Sequence, residues 1–162
     1  MKKFWLWTTV IIGIFVLLIV LGKPNGAQTN PSAATGTITT AGSSYDFGTI
    51  SMKDGRVNYT YTLKNTSDKP VKITKLYTSC MCTTAVLTAG NQKEGPFGMQ
   101  GHGVAIPNIA VTLAPGEEGK VAIAFDPAAH GPAGVGTINR TIFVVSESNP
   151  TLKLKFKATV RP

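Results

Sequence analysis

The chain has 162 residues, with 16 Lys and Arg against 8 Asp and Glu, two cysteines and two histidines. Its basic surplus comes without basic–aromatic interleaving, which argues against nucleic acid as a partner. Phosphate loops, dinucleotide fingerprints, zinc-protease helices and nucleophile elbows are all missing, and the scattered acids offer no carboxylate pair for acid–base catalysis.

The first element is an apolar run from Phe4 to Leu21, interrupted only by Thr8, Thr9 and Gly13. As a helix it rises about 27 Å, close to the roughly 30 Å hydrocarbon core of a bilayer. Lys23-Pro24-Asn25-Gly26 follows it instead of a small-x-small cleavage site, so the run reads as an uncleaved anchor. Lys2, Lys3 and the amino terminus outweigh Lys23, which keeps the N-terminus in the cytoplasm and exports the rest. The expected location is therefore the cell membrane, crossed once, with residues 1–23 as anchor. Residues 24–43 are rich in Gly, Ala, Ser, Thr, Asn and Pro and read as a flexible linker. Residues 44–162 remain, enough for one domain with its own core.

In that domain Val57, Tyr59, Tyr61 and Leu63 alternate with polar residues, and Leu152 to Val160 does the same. A period of two marks strands with one face in a core and one in water. Shorter segments at 45–50, 70–78, 109–113, 119–125 and 137–145 complete a set of about seven strands. Turn signals at 65–70, 115–117 and 148–150 separate them. The expected fold is all-β, an immunoglobulin-like antiparallel β-sandwich behind one transmembrane helix and a linker. Lys153, Lys155, Lys157 and Arg161 form a basic stripe on the last strand. It reads first as protection of a sheet edge and second as a contact for anionic polymer.

Tyr45-Asp46-Phe47-Gly48-Thr49-Ile50, Lys64-Asn65-Thr66, Ser79-Cys80-Met81-Cys82-Thr83-Thr84, Pro115-Gly116-Glu117 and Phe125-Asp126-Pro127 occur in one order. Together they resemble the bacterial domain of unknown function 1573, which is related to the Hydin-type immunoglobulin-like domains. The resemblance spans roughly Ser43 to the C-terminus and implies a fold and an envelope setting, without an established activity. Two departures stand out. Met81 takes a position between the cysteines where such domains usually have Gly, and a Gly-rich insert, Gly95 to Gly103, lengthens the middle of the chain.

The two cysteines carry the chemistry. On a regular strand, residues i and i+2 lie about 6.6 Å apart at Cα, near the upper limit for a disulfide, so a bond between Cys80 and Cys82 requires a turn or bulge. Export favours oxidation; a soft-metal site and two packed thiols are the alternatives. In a seven-strand sandwich, loops alternate between the two ends. That brings Cys80, Cys82, Met99 and His102 to the same end as His130, unless Thr83 to Leu87 adds a strand that reverses the parity. Thiolate, thioether and imidazole suit copper or zinc. Met52 reads as packing at the far end. The expected function is a non-enzymatic envelope module that acts by binding. It is held to the membrane by residues 4–21, with envelope proteins or an anionic envelope polymer as partners. Metal binding, then thiol–disulfide exchange at Cys80 and Cys82, stand behind it.

Overall fold

The described residues build ten strands, the longest of them on alternating apolar residues. In the computed structural model, which describes residues 38–101, 107–147 and 149–162, these are β1 (Ile38–Thr40), β2 (Ser44–Ser51), β3 (Val57–Asn65), β4 (Val71–Thr78) and β5 (Thr83–Ala89), followed by β6 (Gln92–Phe97), β7 (Val111–Leu113), β8 (Glu118–Phe125), β9 (Gly136–Ser146) and β10 (Leu152–Arg161). The helical elements among the described residues are two short 3-10 turns, Met52–Asp54 and Gly131–Gly134. No helix among the described residues is long and apolar enough to cross a membrane. The expected anchor, residues 24–37 of the expected linker, and His102 lie outside the described residues.

The strands form two five-stranded sheets, in the orders β1-β3-β8-β5-β6 and β2-β10-β9-β4-β7. Tyr61 and Leu63 on β3, Leu87 on β5 and Ile123 on β8 face Ile73 on β4, Ile142 on β9, and Leu154 and Phe156 on β10, all at most 1% exposed. Burying such side chains is the main favourable term in folding, at about 1.5–3 kcal/mol for each large one. The sandwich is a compact unit with its own core and can be produced on its own.

Several expectations need correction. Among the described residues there are ten strands, not about seven. Ile38–Thr40, placed in the linker by composition, is an edge strand paired with β3. Its stability comes from ladder hydrogen bonds that composition does not report. Thr83–Ala89 and Gln92–Phe97 form a hairpin, β5–β6, whose second strand takes in the start of the Gly-rich insert. The sheets are not wholly antiparallel, since β2 runs parallel to β10. Finally, β10 lies between β2 and β9, so its lysines do not protect a sheet edge.

At one end of the sandwich the buried side chain of Asn65 ties two turns together. Its Nδ2 donates to the carbonyls of Lys69 at 2.8 Å, Leu113 at 2.9 Å and Ala114 at 3.1 Å. Its Oδ1 accepts from the backbone N–H and the hydroxyl of Ser67. Between the sheets, the Tyr61 hydroxyl on β3 donates to the Lys155 carbonyl on β10 at 2.6 Å. Burial first, then the neighbouring Tyr59 and Tyr45, hold the Tyr61 phenol above the usual tyrosine range.

Urea denaturation of residues 33–162 should rank two variants. Asn65→Ala orphans one buried and two part-buried carbonyls at once and should cost about 3 kcal/mol, whereas Tyr61→Phe loses one hydrogen bond and about 1 kcal/mol. Because the unfolded chain gives up the Tyr61 proton at lower pH than the folded one, stability should fall as pH rises past about 10. That alkaline loss should shrink in Tyr61→Phe. An equal loss in both proteins would remove Tyr61 as its source.

Candidate sulfur–imidazole site

The end opposite Asn65 is built around the passage from β4 to β5, which takes the chain from one sheet to the other through Ser79–Cys82. Thr78, at the end of β4, shares its hydroxyl proton between the carbonyls of Cys80 at 2.9 Å and Thr83 at 3.0 Å. The Thr83 N–H closes the turn on the Cys80 carbonyl at 3.2 Å, and Ser79 exchanges bonds with Thr141 of β9. This turn supplies what the i, i+2 spacing lacked. It brings the two Cα atoms to 5.3 Å, and Cys80 and Cys82 are joined by a disulfide. Met81 at the tip is 59% exposed, while Cys80 and Cys82 are 8% and 3% exposed.

His130 reaches this turn from the loop after β8. Asp126 shapes that loop: its N–H donates to the Cys82 carbonyl at 2.9 Å, and its carboxylate accepts from the Ala128 N–H at 2.9 Å. Arg56 pairs with the same carboxylate at 3.5 Å. Gly134 packs against the same loop: a Cβ there would stand 3.3 Å from His130 Cβ, a tight approach, and 3.5 Å from Met52 Cε, an ordinary contact. As a result His130 Nε2 lies 3.1 Å from Cys80 Sγ. A disulfide sulfur carries no hydrogen, so in this state His130 is the donor. On the other side, Arg140 Nε of β9 donates to Cys82 Sγ at 3.4 Å, and the Thr83 hydroxyl lies 3.7 Å from the same sulfur. Each sulfur therefore faces a nitrogen donor from a different part of the chain.

Of the residues singled out as ligands, Cys80, Cys82 and His130 present their donor atoms within 4.8 Å of one another. The extra strand that threatened the parity exists, but β6 returns the chain to the same end and restores it. Met99 accordingly stands beside Thr78, linked by a bridge and by the Thr78 N–H on the Gly98 carbonyl at 3.0 Å. Met52, read as lying at the far end, instead sits against the His130 loop at this rim. The alternation of loops already required that, because the β2–β3 and β4–β5 connections fall on the same side. Arg140 was not anticipated; one arginine in a strand pattern carries no signal of a sulfur contact.

Fold and site together define a two-sheet, immunoglobulin-like module with a sulfur–imidazole rim. Residues 38–98 match the family described as Protein of unknown function (DUF1573). The match takes in the Tyr45, Asn65 and Cys80 motifs and ends before those at Pro115 and Phe125. No curated protein matches the chain. Among solved structures, the fold is similar to a protein of unknown function from Porphyromonas gingivalis W83, at 17% identity and a TM-score of 0.54, covering 76% of this chain and 46% of that one. The chain thus spans less than half of that protein's length. A family 123 glycoside hydrolase from Clostridium perfringens matches at 10% identity and a TM-score of 0.50, over 74% of this chain and 23% of the enzyme. The ASH / PapD-like domain 7 of human CEP192 matches at 16% identity and a TM-score of 0.46, over 77% and 85% of the two chains. At these identities the likeness concerns the fold alone.

A thiol titration of the unfolded domain should find no free thiol before reduction and two after it, as a closed Cys80–Cys82 bond requires. Two free thiols in protein purified under oxidising conditions would contradict the bonded pair.

Proposed function

We propose that this chain is an exported, membrane-tethered binding module without a catalytic role, and that its rim captures a soft metal ion once Cys80–Cys82 is reduced. One observation carries this reading: two sulfurs and an imidazole from loops fifty residues apart lie within 4.8 Å of one another. An external dithiol supplies the two electrons and two protons that open the disulfide. Metal binding then displaces the thiol protons, because the thiolate is the ligand. Two thiolates and one imidazole suit copper(I), which accepts a soft, low-coordinate set, better than zinc, which needs a fourth donor. Met99, at the same rim, is available as a further soft ligand. Arg140 beside Cys82 offsets the negative charge gained on reduction.

A second reading, thiol–disulfide exchange, is favoured by the same two nitrogen donors, since each would stabilise a departing thiolate. They replace the helix N-terminus that usually performs this task. Burial weighs against repeated turnover, because an attacking thiol must reach residues only 8% and 3% exposed, whereas metal capture needs a single, slow reduction.

Competition with a chromogenic copper(I) chelator under anaerobic, reducing conditions separates the two. The reduced domain should bind copper(I) stoichiometrically and the oxidised domain should not. Cys82→Ser and His130→Ala should weaken binding by at least the roughly 10–100-fold that loss of even an outer-shell partner costs. Unchanged affinity in His130→Ala would sink the metal reading. Failure to bind copper, combined with accelerated reduction of a test disulfide, would put exchange in its place.

A further inference from the structure

The two sheets carry very different charge. The strands of the β2-β10-β9-β4-β7 sheet hold seven basic residues against one acid, Asp46, whereas those of the other sheet hold three against two. Edge protection does not account for the difference, because the richest strand, β10, is internal. On β10, Lys153, Lys155 and Lys157 are exposed and alternate with buried Leu154, Phe156 and Ala158. Alternate residues of a strand repeat every 6.6–6.8 Å or so, which makes a straight row of cations. Asp46 neutralises only one of them, pairing with Lys157 at 3.2 Å. The Gly48 N–H and then Lys157 hold its carboxyl below the usual carboxylate range, so it stays ionised. Lys153 and Lys155 have no carboxylate partner among the described residues.

A cleft of about 340 Å³ opens along this row, lined by Ser44, Asn139, Arg140, Thr141, Lys155 and Lys157. Its side chains offer hydroxyl, amide and ammonium donors and no carboxylate. One step along the sheet, Phe143 lies opposite both Lys153 and Tyr77. The Phe143 and Tyr77 rings are half-buried and stack at 4.8 Å, 16° from parallel. A row of cations, two of them without a carboxylate partner, with a donor-lined cleft on one side and an aromatic strip on the other matches a linear, anionic sugar polymer. Its carboxylate, sulfate or phosphate groups would meet the cations, and the C–H faces of its rings would meet the aromatics.

We infer that this outer sheet face binds an anionic glycopolymer along β10. The inference goes beyond metal capture and does not require it, since neither Lys153 nor Lys155 belongs to the rim.

The test uses residues 33–162 with polygalacturonate and dextran sulfate as probes, beside neutral dextran and phosphatidylglycerol vesicles. Binding to the two anionic glycans, absent for neutral dextran and weakened by added salt, is expected. The pair Lys153→Gln/Lys155→Gln should lose about tenfold or more in affinity. The pair Lys93→Gln/Lys120→Gln removes the same charge from exposed positions of the other sheet and should lose less than about twofold. These changes are charge losses on exposed side chains, where folding is little affected. An equal loss in both pairs would reduce the effect to net charge and overturn the inference. So would retention on vesicles without retention on the glycans.

Discussion

The passage from β4 to β5 is the constraint on which the rest of the site depends. The two sheets pack about 10 Å apart, and the chain must cross that gap in four residues. Thr78 makes the crossing tight by presenting one hydroxyl to two carbonyls, and it is buried, so those bonds do not compete with water. The same turn brings the cysteines together and exposes their carbonyl and sulfur atoms to the Asp126 loop and to Arg140. Loosening it would disturb the disulfide, the His130 approach and the join between the sheets together.

The recurring motifs of the chain divide between the two ends of the sandwich. Asn65 and the Pro115-Gly116-Glu117 turn are parts of one device: Asn65 N–H donates to the Glu117 carbonyl at 3.0 Å, and Gly116 N–H returns a bond to the Asn65 carbonyl at 2.9 Å. Phe125-Asp126-Pro127 belongs to the other end, where Phe125 enters the core and Asp126 fixes the loop that bears His130. Gly48, at a φ of +68°, allows the bulge that keeps β2 in parallel register with β10. One end is thus held by amide chemistry and carries structure. The other gathers sulfur, imidazole and guanidinium.

Arg140 sits where two surfaces meet. Its Nε reaches the Cys82 sulfur, its Nη1 bonds the Asn139 carbonyl at 2.9 Å, and the residue also lines the cationic cleft. The rim and the basic face are therefore neighbours, built on adjoining parts of β9.

Much of the fold was legible in the residues themselves. Strict alternation in Val57–Asn65 and Leu152–Arg161 dictates half-buried strands, because a period of two can place apolar groups on one side only of a pleated chain. The convergence of Cys80, Cys82 and His130 followed from counting seven strands, and it survived only because two strands outside that count, β5 and β6, cancelled each other. β5 stood only as an alternative over Thr83 to Leu87, because its outward positions, Thr84, Val86 and Thr88, are themselves half-buried and blur the alternation. β1 escaped because three residues set no period. Neither the Arg140 contact nor the internal place of β10 has a local signature, since each depends on which strands become neighbours. Sequence alone thus determined the layers and the chemistry available to them. Tertiary structure decided which donors meet and which lysines are left without a partner, because pairing partners are chosen by packing across the whole sandwich.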